Sequence, residues 1–210
     1  MFKDRIHAGQ TLAEKLGVYK GRPGVVLAVP RGGVPLAYYV ARELGFPLDI
    51  VLVKKIGHPE QKEYAIGAVS LTDYVITPHP HVSQAYVDAE LKRIRKRLIE
   101  MRQKFMGDRQ PVDLSGKTVI IVDDGAATGQ TLRRTLDVIK KSQPEKVIVA
   151  IPVASAEAVQ LLKQDADEVI ACLIPPKFYG VGAYYENFNE VSDEEVSFYL
   201  DKLSRLRKTG

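Results

Sequence analysis

At 210 residues, with 45% hydrophobic and 27% charged side chains, the chain has the composition of a folded globular domain, which excludes a largely disordered protein. Its single cysteine, Cys172, excludes an internal disulfide framework and suits a reducing compartment, and no apolar run reaches the roughly 20 residues of a membrane span. The net charge of +4 fits anionic small molecules without requiring nucleic acid, and the start Met1-Phe2-Lys3-Asp4-Arg5 is not a signal peptide, so a cytoplasmic protein is expected.

Residues 6–16 (Ile6, Ala8, Leu12, Ala13, Leu16) predict a short amphipathic helix stopped by Gly17. Val25 to Val29 is the first buried strand. It runs into Pro30-Arg31-Gly32-Gly33, and a helix follows from Val34 to Leu44, with Pro35 in its first turn and Gly45 after its end. Leu48 to Val53 is predicted as the next strand, completing a βαβ unit closed by Lys54 and Lys55. An arginine followed by two glycines offers a fixed cation and unobstructed backbone amides, which is what a compact pyrophosphate site needs. The connection Ile56 to Glu63 is polar, with Gly57, His58 and Pro59, and strands follow at Tyr64 to Leu71 and Val75 to Thr77. His79-Pro80-His81 has too few ligands for a zinc site and reads as a loop before a helix.

The longest helical pattern spans Ser83 to Phe105: Val87, Leu91, Ile94, Leu98, Met101 and Phe105 form its apolar stripe, and Ser83 is the N-cap. Lys92, Arg93, Arg95, Lys96, Arg97, Arg102 and Lys104 fill its other faces. A solvated helix packed on the domain, a seam between copies, and a nucleic-acid contact all fit that pattern, the first being the default.

Residues 118–135 organise the rest of the chain. Val119 to Val122 is an unbroken β-branched run suited to a strand buried on both faces, and Asp123 and Asp124 stand where it ends. The small loop Gly125-Ala126-Ala127-Thr128-Gly129 then leads into a helix near Gln130 and Thr131. Free N–H groups at that helix start favour an anion, which the two carboxylates would repel. Their partners are neutral hydroxyls or a metal ion. A phosphate beside a vicinal diol describes a ribose 5-phosphate. Strand and helix patterns continue through Lys146–Ile151, a helix capped by Ser155, and Val169–Ile174. Residues 174–190 break the alternation with five aromatics and Lys177, and Ser192-Asp193-Glu194-Glu195 is a capping box for the closing helix. The fold class is α/β: a doubly wound, mostly parallel sheet flanked by helices. One domain is expected, with its core over about 25–174, an inserted helix at about 83–106, and a hood and final helix at about 175–207.

Val119-Ile120-Ile121-Val122-Asp123-Asp124-Gly125-Ala126-Ala127-Thr128-Gly129 closely resembles the 5-phosphoribosyl-1-pyrophosphate (PRPP) motif of the type I phosphoribosyltransferases, and the chain is most similar to bacterial proteins named only as phosphoribosyltransferases. The resemblance implies that Asp123 and Asp124 hold the ribose hydroxyls and that residues 125–129, with Thr131, cradle the 5′-phosphate. It further implies that Arg31, Gly32 and Gly33 receive pyrophosphate, in a loop that often carries a non-proline cis peptide. The strands around residues 56–63 resemble the family's mobile catalytic hairpin, giving Lys54 or Lys55 to the pyrophosphate and His58 or Glu63 to proton transfer. The hood faintly resembles that of the 6-oxopurine enzymes, where Phe178 or Tyr179 would stack on a base; packing the end of the sheet is the alternative role of these rings. Ala127 departs from the aspartate that 6-oxopurine enzymes carry and is closer to the adenine enzymes.

The implied activity is Mg²⁺-dependent transfer of the phosphoribosyl group to a nitrogenous acceptor, most simply a nucleobase, with release of pyrophosphate. A homodimer is expected. The alternatives are a PRPP- or nucleotide-sensing regulator that binds RNA or DNA through helix 83–105, and a hydrolase using water in place of the acceptor.

Overall fold

The computed structural model describes residues 1–208. Its elements in chain order are α1 (Arg5–Leu16), β1 (Gly24–Ala28), α2 (Gly33–Leu44), β2 (Leu48–Ile50), β3 (Lys54–Gly57), β4 (Ala65–Val69), β5 (Tyr74–Ile76), α3 (Gln84–Met106), β6 (Thr118–Val122), α4 (Gln130–Ile139), β7 (Lys146–Val153), α5 (Ala156–Leu162), β8 (Glu168–Leu173) and α6 (Asp193–Lys208). Five strands form a parallel sheet in the order β2-β1-β6-β7-β8, and β3, β4 and β5 form a separate antiparallel sheet. From the β1–β6 pair the chain progresses outward in both directions, so the topological switch point lies between these two strands. Ligands of such sheets bind beyond the carboxyl ends of the strands at that point.

Alternation along the strands fills two cores. Val26, Ala28, Ile120, Val122, Ile148 and Ala150 face one layer, packed with α1, α2, α3 and α6. Val25, Leu27, Val119, Ile121, Val147 and Val149 face the other, under α4 and α5. Both faces of β1 and β6 are therefore dry, which explains their uninterrupted apolar runs. Such burial is worth about 1.5–3 kcal/mol for each large aliphatic side chain. Ser192 and Glu195 form the expected reciprocal cap: the Ser192 N–H donates to the Glu195 carboxylate at 3.1 Å, and the Glu195 N–H to the Ser192 hydroxyl at 3.2 Å.

Two sequence expectations change. The strand predicted over Leu48–Val53 ends at Ile50. Val51 makes the last rung, its N–H donating to the Ala28 carbonyl, and the next residue on that edge beyond β1 is Pro30, which has no N–H to extend the ladder. Lys54 and Lys55 consequently open β3 of the second sheet instead of closing β2.

The stripe of α3 packs on its own domain, the default among the three readings of that helix. Val87, Leu91, Ile94, Leu98 and Phe105 are buried in this chain's own core. Arg102, grouped with the solvated basic residues, is buried as well: its guanidinium meets the Asp49 carboxylate at 2.9 and 3.3 Å. Asp49 also accepts the N–H groups of Ile50 and Val112, and Arg102 donates to the Arg109 carbonyl. With its hydrogen bonds this well supplied the buried pair is tolerated, whereas removing one partner from such a pair costs about 3–5 kcal/mol.

Candidate active site

The loops after β1 and β6 lie side by side at the switch point. β6 delivers Asp123 and Asp124, and the chain then crosses a short loop to α4. Gly129 caps that helix with φ 72°, in the left-handed region where glycine is unstrained. The loop is fastened to the end of β7: the Ala126 N–H donates to the Val153 carbonyl at 3.0 Å, and the Ser155 hydroxyl donates to the Ala127 carbonyl at 2.7 Å. It borders a cleft of about 280 Å³ whose lining includes Asp123, residues 125–131 and Val181. A second cleft, about 480 Å³, is lined by Arg31, Lys54, Thr131, Thr135 and Asp193, with Leu98, Met101 and Phe105 of α3 among its apolar walls. Thr131 borders both clefts. Of the acidic pair, Asp123 lines the first cleft.

The two loops are fitted to each other. A Cβ on Gly32 would stand 2.0 Å from Asp124 Oδ2, and one on Gly33 would stand 2.5 Å from the Val122 carbonyl oxygen. Neither position accepts a side chain without moving the acidic pair or the end of β6. The Pro30–Arg31 peptide is cis.

Burial and the neighbouring Asp124 charge hold the Asp123 carboxyl well above the usual carboxylate range, against the pull of the Asp124 N–H that donates to its Oδ1 at 2.9 Å. Asp124 is raised by burial too, opposed by Arg5, whose Nε and Nη2 reach its Oδ2 at 3.0 and 2.8 Å. The Tyr185 hydroxyl donates to the Asp124 carbonyl at 2.6 Å, and burial pushes this phenol far up, keeping it a neutral donor.

Of the residues singled out in the sequence, Asp123, Gly125 to Gly129 and Thr131 line the first cleft and Arg31, Lys54 and Thr131 the second, while Asp124, Gly32 and Gly33 lie where the two loops touch. Lys55 does not line them. It projects from β3 onto Glu63, with Nζ 2.7 Å from the carboxylate, since neighbouring residues of a strand point to opposite sides. His58 is buried in the tip of the hairpin with Tyr64 and His79, and its Nδ1 accepts the Glu60 N–H at 3.2 Å. Phe178 stacks on Tyr184 and packs against the core, while Tyr179 is 76% exposed. Tyr185 and Phe188 are the hood aromatics nearest the acidic pair, acting through the Asp124 carbonyl and through Arg5. Cys172 is half-buried, and burial pushes its thiol up, which suits an unreactive core position.

Sequence reasoning missed Arg5, Glu190 and Asp193. Arg31 is engaged by Glu190 and, at 3.6 Å, by Asp193, whose carboxyl Lys104 holds below the usual range. No local motif marks these as site residues, Asp193 standing out only within a capping box, because each lies far along the chain from the loop it reaches.

Residues 4–186 match the family model described as the phosphoribosyl transferase domain. The chain belongs to the phosphoribosyl transferase family. A Mycobacterium tuberculosis protein named as a phosphoribosyl transferase is 39% identical over 214 residues, covering 98% of this chain and 47% of that protein. This family member thus spans about half the length of such curated relatives. The crystal structure of the Thermus thermophilus protein TT1426 superposes with a TM-score of 0.87 at 43% identity, covering 96% of this chain and 98% of that one. The bifunctional protein PyrR of Thermus aquaticus is 29% identical over 136 residues, 63% of this chain and 58% of its own length. Among the described residues, no helix is long and apolar enough to cross a membrane.

Proposed function

We propose that this family member transfers the 5-phosphoribosyl group of PRPP to the nitrogen of a nucleobase, releasing pyrophosphate. One observation carries the reading: the acidic pair, the small-residue loop and the Arg31 loop meet at a single switch point, with Thr131 shared by the two clefts they border. In this reading the N–H groups around Gly125 to Gly129 and the start of α4 bind the 5′-phosphate, where the helix dipole favours an anion. Asp123 and Asp124 accept hydrogen bonds from the ribose hydroxyls. Arg31 and Lys54, which line the second cleft, neutralise the pyrophosphate, and Gly32 and Gly33 let the Arg31 loop close against the acidic pair and the end of β6.

The acceptor nitrogen forms its bond to C1 from the face opposite the pyrophosphate. The C1–O bond breaks as pyrophosphate departs, and the proton on the acceptor nitrogen is lost. Most of the catalysis comes from alignment and from balancing charge on the leaving group.

A metal ion fits this site only together with its substrate. Among the described residues no group of three or more His, Cys, Asp and Glu side chains could hold one, but Mg²⁺ commonly binds one or two carboxylates plus phosphate oxygens, which Asp123, Asp124 and PRPP would supply. Bound there, Mg²⁺ would offset the charge that builds on the leaving pyrophosphate.

Arg31 is 39% and Glu190 77% exposed at the side chain, so their ion pair is worth about 0–1 kcal/mol and a pyrophosphate displaces it readily. The β3–β5 hairpin then serves as the lid that excludes water.

The test is pyrophosphate release from PRPP and Mg²⁺ with pooled purine and pyrimidine bases against a base-free control. Base-dependent release is expected, and dividing the pool then names the acceptor. Equal release without base would replace the transferase with a hydrolase. PRPP binding with no release under any condition would favour the regulator reading, which the PyrR similarity keeps in view. That reading draws little from α3, where Arg93 pairs with Glu90, Arg95 with the Thr72 carbonyl, and Arg102 with Asp49.

A further inference from the structure

The segment before α1 pairs with the hood, and the Arg5 side chain joins both to the acidic pair. The Phe2 N–H donates to the Tyr184 carbonyl, and the N–H groups of Glu186 and Asn187 donate to the carbonyls of Phe2 and Lys3, all at 2.8–2.9 Å. Asp4 then caps α1, its carboxylate accepting the His7 N–H at 2.8 Å, and this sets Arg5 in the first turn.

The Arg5 guanidinium is held on three sides. Nε and Nη2 end on the same oxygen, Asp124 Oδ2, while Nη1 donates to the Asn189 carbonyl at 2.6 Å. Its Cζ lies 3.9 Å from the centre of the Phe188 ring. The Arg5 side chain is 12% exposed and that of Asp124 is 17% exposed. An ion pair this sheltered, with a planar fork fixed by a ring and a carbonyl, sets orientation in a way a surface pair does not. The bare Gly32 makes room for Oδ2 where it stands, since a Cβ there would lie 2.0 Å from it. Both side-chain hydrogen bonds to the Asp124 carboxylate, from Arg5, end on Oδ2 rather than Oδ1.

We infer that Arg5 is a positioning residue for phosphoribosyl transfer: it locks Asp124 with Oδ2 turned inward and Oδ1 presented to a ribose hydroxyl, and it ties that presentation to a docked hood. This role rests on the reading of the site as a PRPP site. Arg5 does not touch the substrate. Helix α1 and the hood act on the ribose through a single carboxylate, so loosening either of them loosens the ribose.

The experiment compares wild type with Arg5→Ala, Arg5→Lys, Phe188→Leu, Asp124→Asn and the Arg5→Ala/Asp124→Asn double variant, measuring PRPP affinity, kcat, KM and thermal melting. Arg5→Ala is expected to raise the PRPP Kd and KM by about tenfold while kcat changes by less than about threefold, because the lost contact serves ground state and transition state alike. Arg5→Lys keeps the charge without the fork and should recover part of that loss. Phe188→Leu, which preserves the guanidinium and removes its ring, should weaken binding in the same direction by a smaller factor, and it carries the test if Arg5→Ala does not fold.

The double variant separates positioning from simple cohesion. With Asp124 already neutral, Arg5→Ala should add less than about twofold. An equal penalty in both backgrounds, or wild-type PRPP affinity in Arg5→Ala or Phe188→Leu, overturns the role of Arg5 and leaves the site reading intact. A wild-type protein that binds no PRPP overturns the site reading, and the role of Arg5 falls with it.

Discussion

Replacing Asp123 or Asp124 with asparagine should weaken PRPP binding by about ten- to a hundredfold, and the Asp123 variant should melt at a higher temperature than wild type. The binding loss follows from replacing one accepting carboxyl oxygen with an amide NH₂ that faces the ribose hydroxyl unpaired, a mismatch that costs about 1–3 kcal/mol when buried, each tenfold in affinity being about 1.4 kcal/mol. The stability gain follows from linkage. Burial, then the Asp124 charge, raises the Asp123 carboxyl in the folded protein above its unfolded value. Its favourable contribution is therefore complete below the ordinary carboxylate pKa and is lost as pH rises through the raised folded value. Above the ordinary carboxylate pKa this carboxyl works against the fold, and asparagine removes that cost. Calorimetric titration with PRPP and thermal melts of the same samples check both halves. Wild-type affinity in both variants would contradict the assignment of the acidic pair.

Arg31→Ala should reduce turnover by about a hundred- to a thousandfold, the loss seen when a preorganised group that stabilises developing charge is removed. Affinity for ribose 5-phosphate should stay within about threefold of wild type, because that ligand lacks the group Arg31 neutralises. The geometry supports the split. Arg31 precedes the two-loop contact made by Gly32 and Gly33, and its guanidinium already takes the carboxylates of Glu190 and Asp193 in place of an anion. Steady-state turnover and ribose 5-phosphate titration of the variant test this. Equal losses in both would remove Arg31 from the pyrophosphate and make it a residue of the whole site.

The parts legible in the sequence are those whose physics is local. Val119 to Val122 shows its two-sided burial in four consecutive side chains, and the turn from Asp124 to Gly129 shows its small residues in order. Ser83 and Ser192 announce their helices because a cap and the groups it satisfies lie within three residues. What was not legible depends on partners distant along the chain. Leu48 to Val53 looks like one strand, yet its length is set by where Pro30 ends the ladder with β1. Arg102 looks like one more surface cation until Asp49, 53 residues earlier, is placed beside it. Arg5 and Asp124 are 119 positions apart, so no spacing rule connects them. Lys54 and Lys55 were interchangeable in sequence, and only the pairing of β3 with β4 decides which of them faces the Arg31 cleft.

The claim that most needs testing is that the loops after β1 and β6 form one PRPP site, and competitive equilibrium binding tests it most directly. Labelled PRPP would be titrated into the wild-type protein with Mg²⁺ present, then challenged separately with ribose 5-phosphate and with pyrophosphate. Saturable binding displaced by each competitor is expected, since each occupies one half of the PRPP site. No saturable PRPP binding, or displacement by neither fragment, would contradict the account.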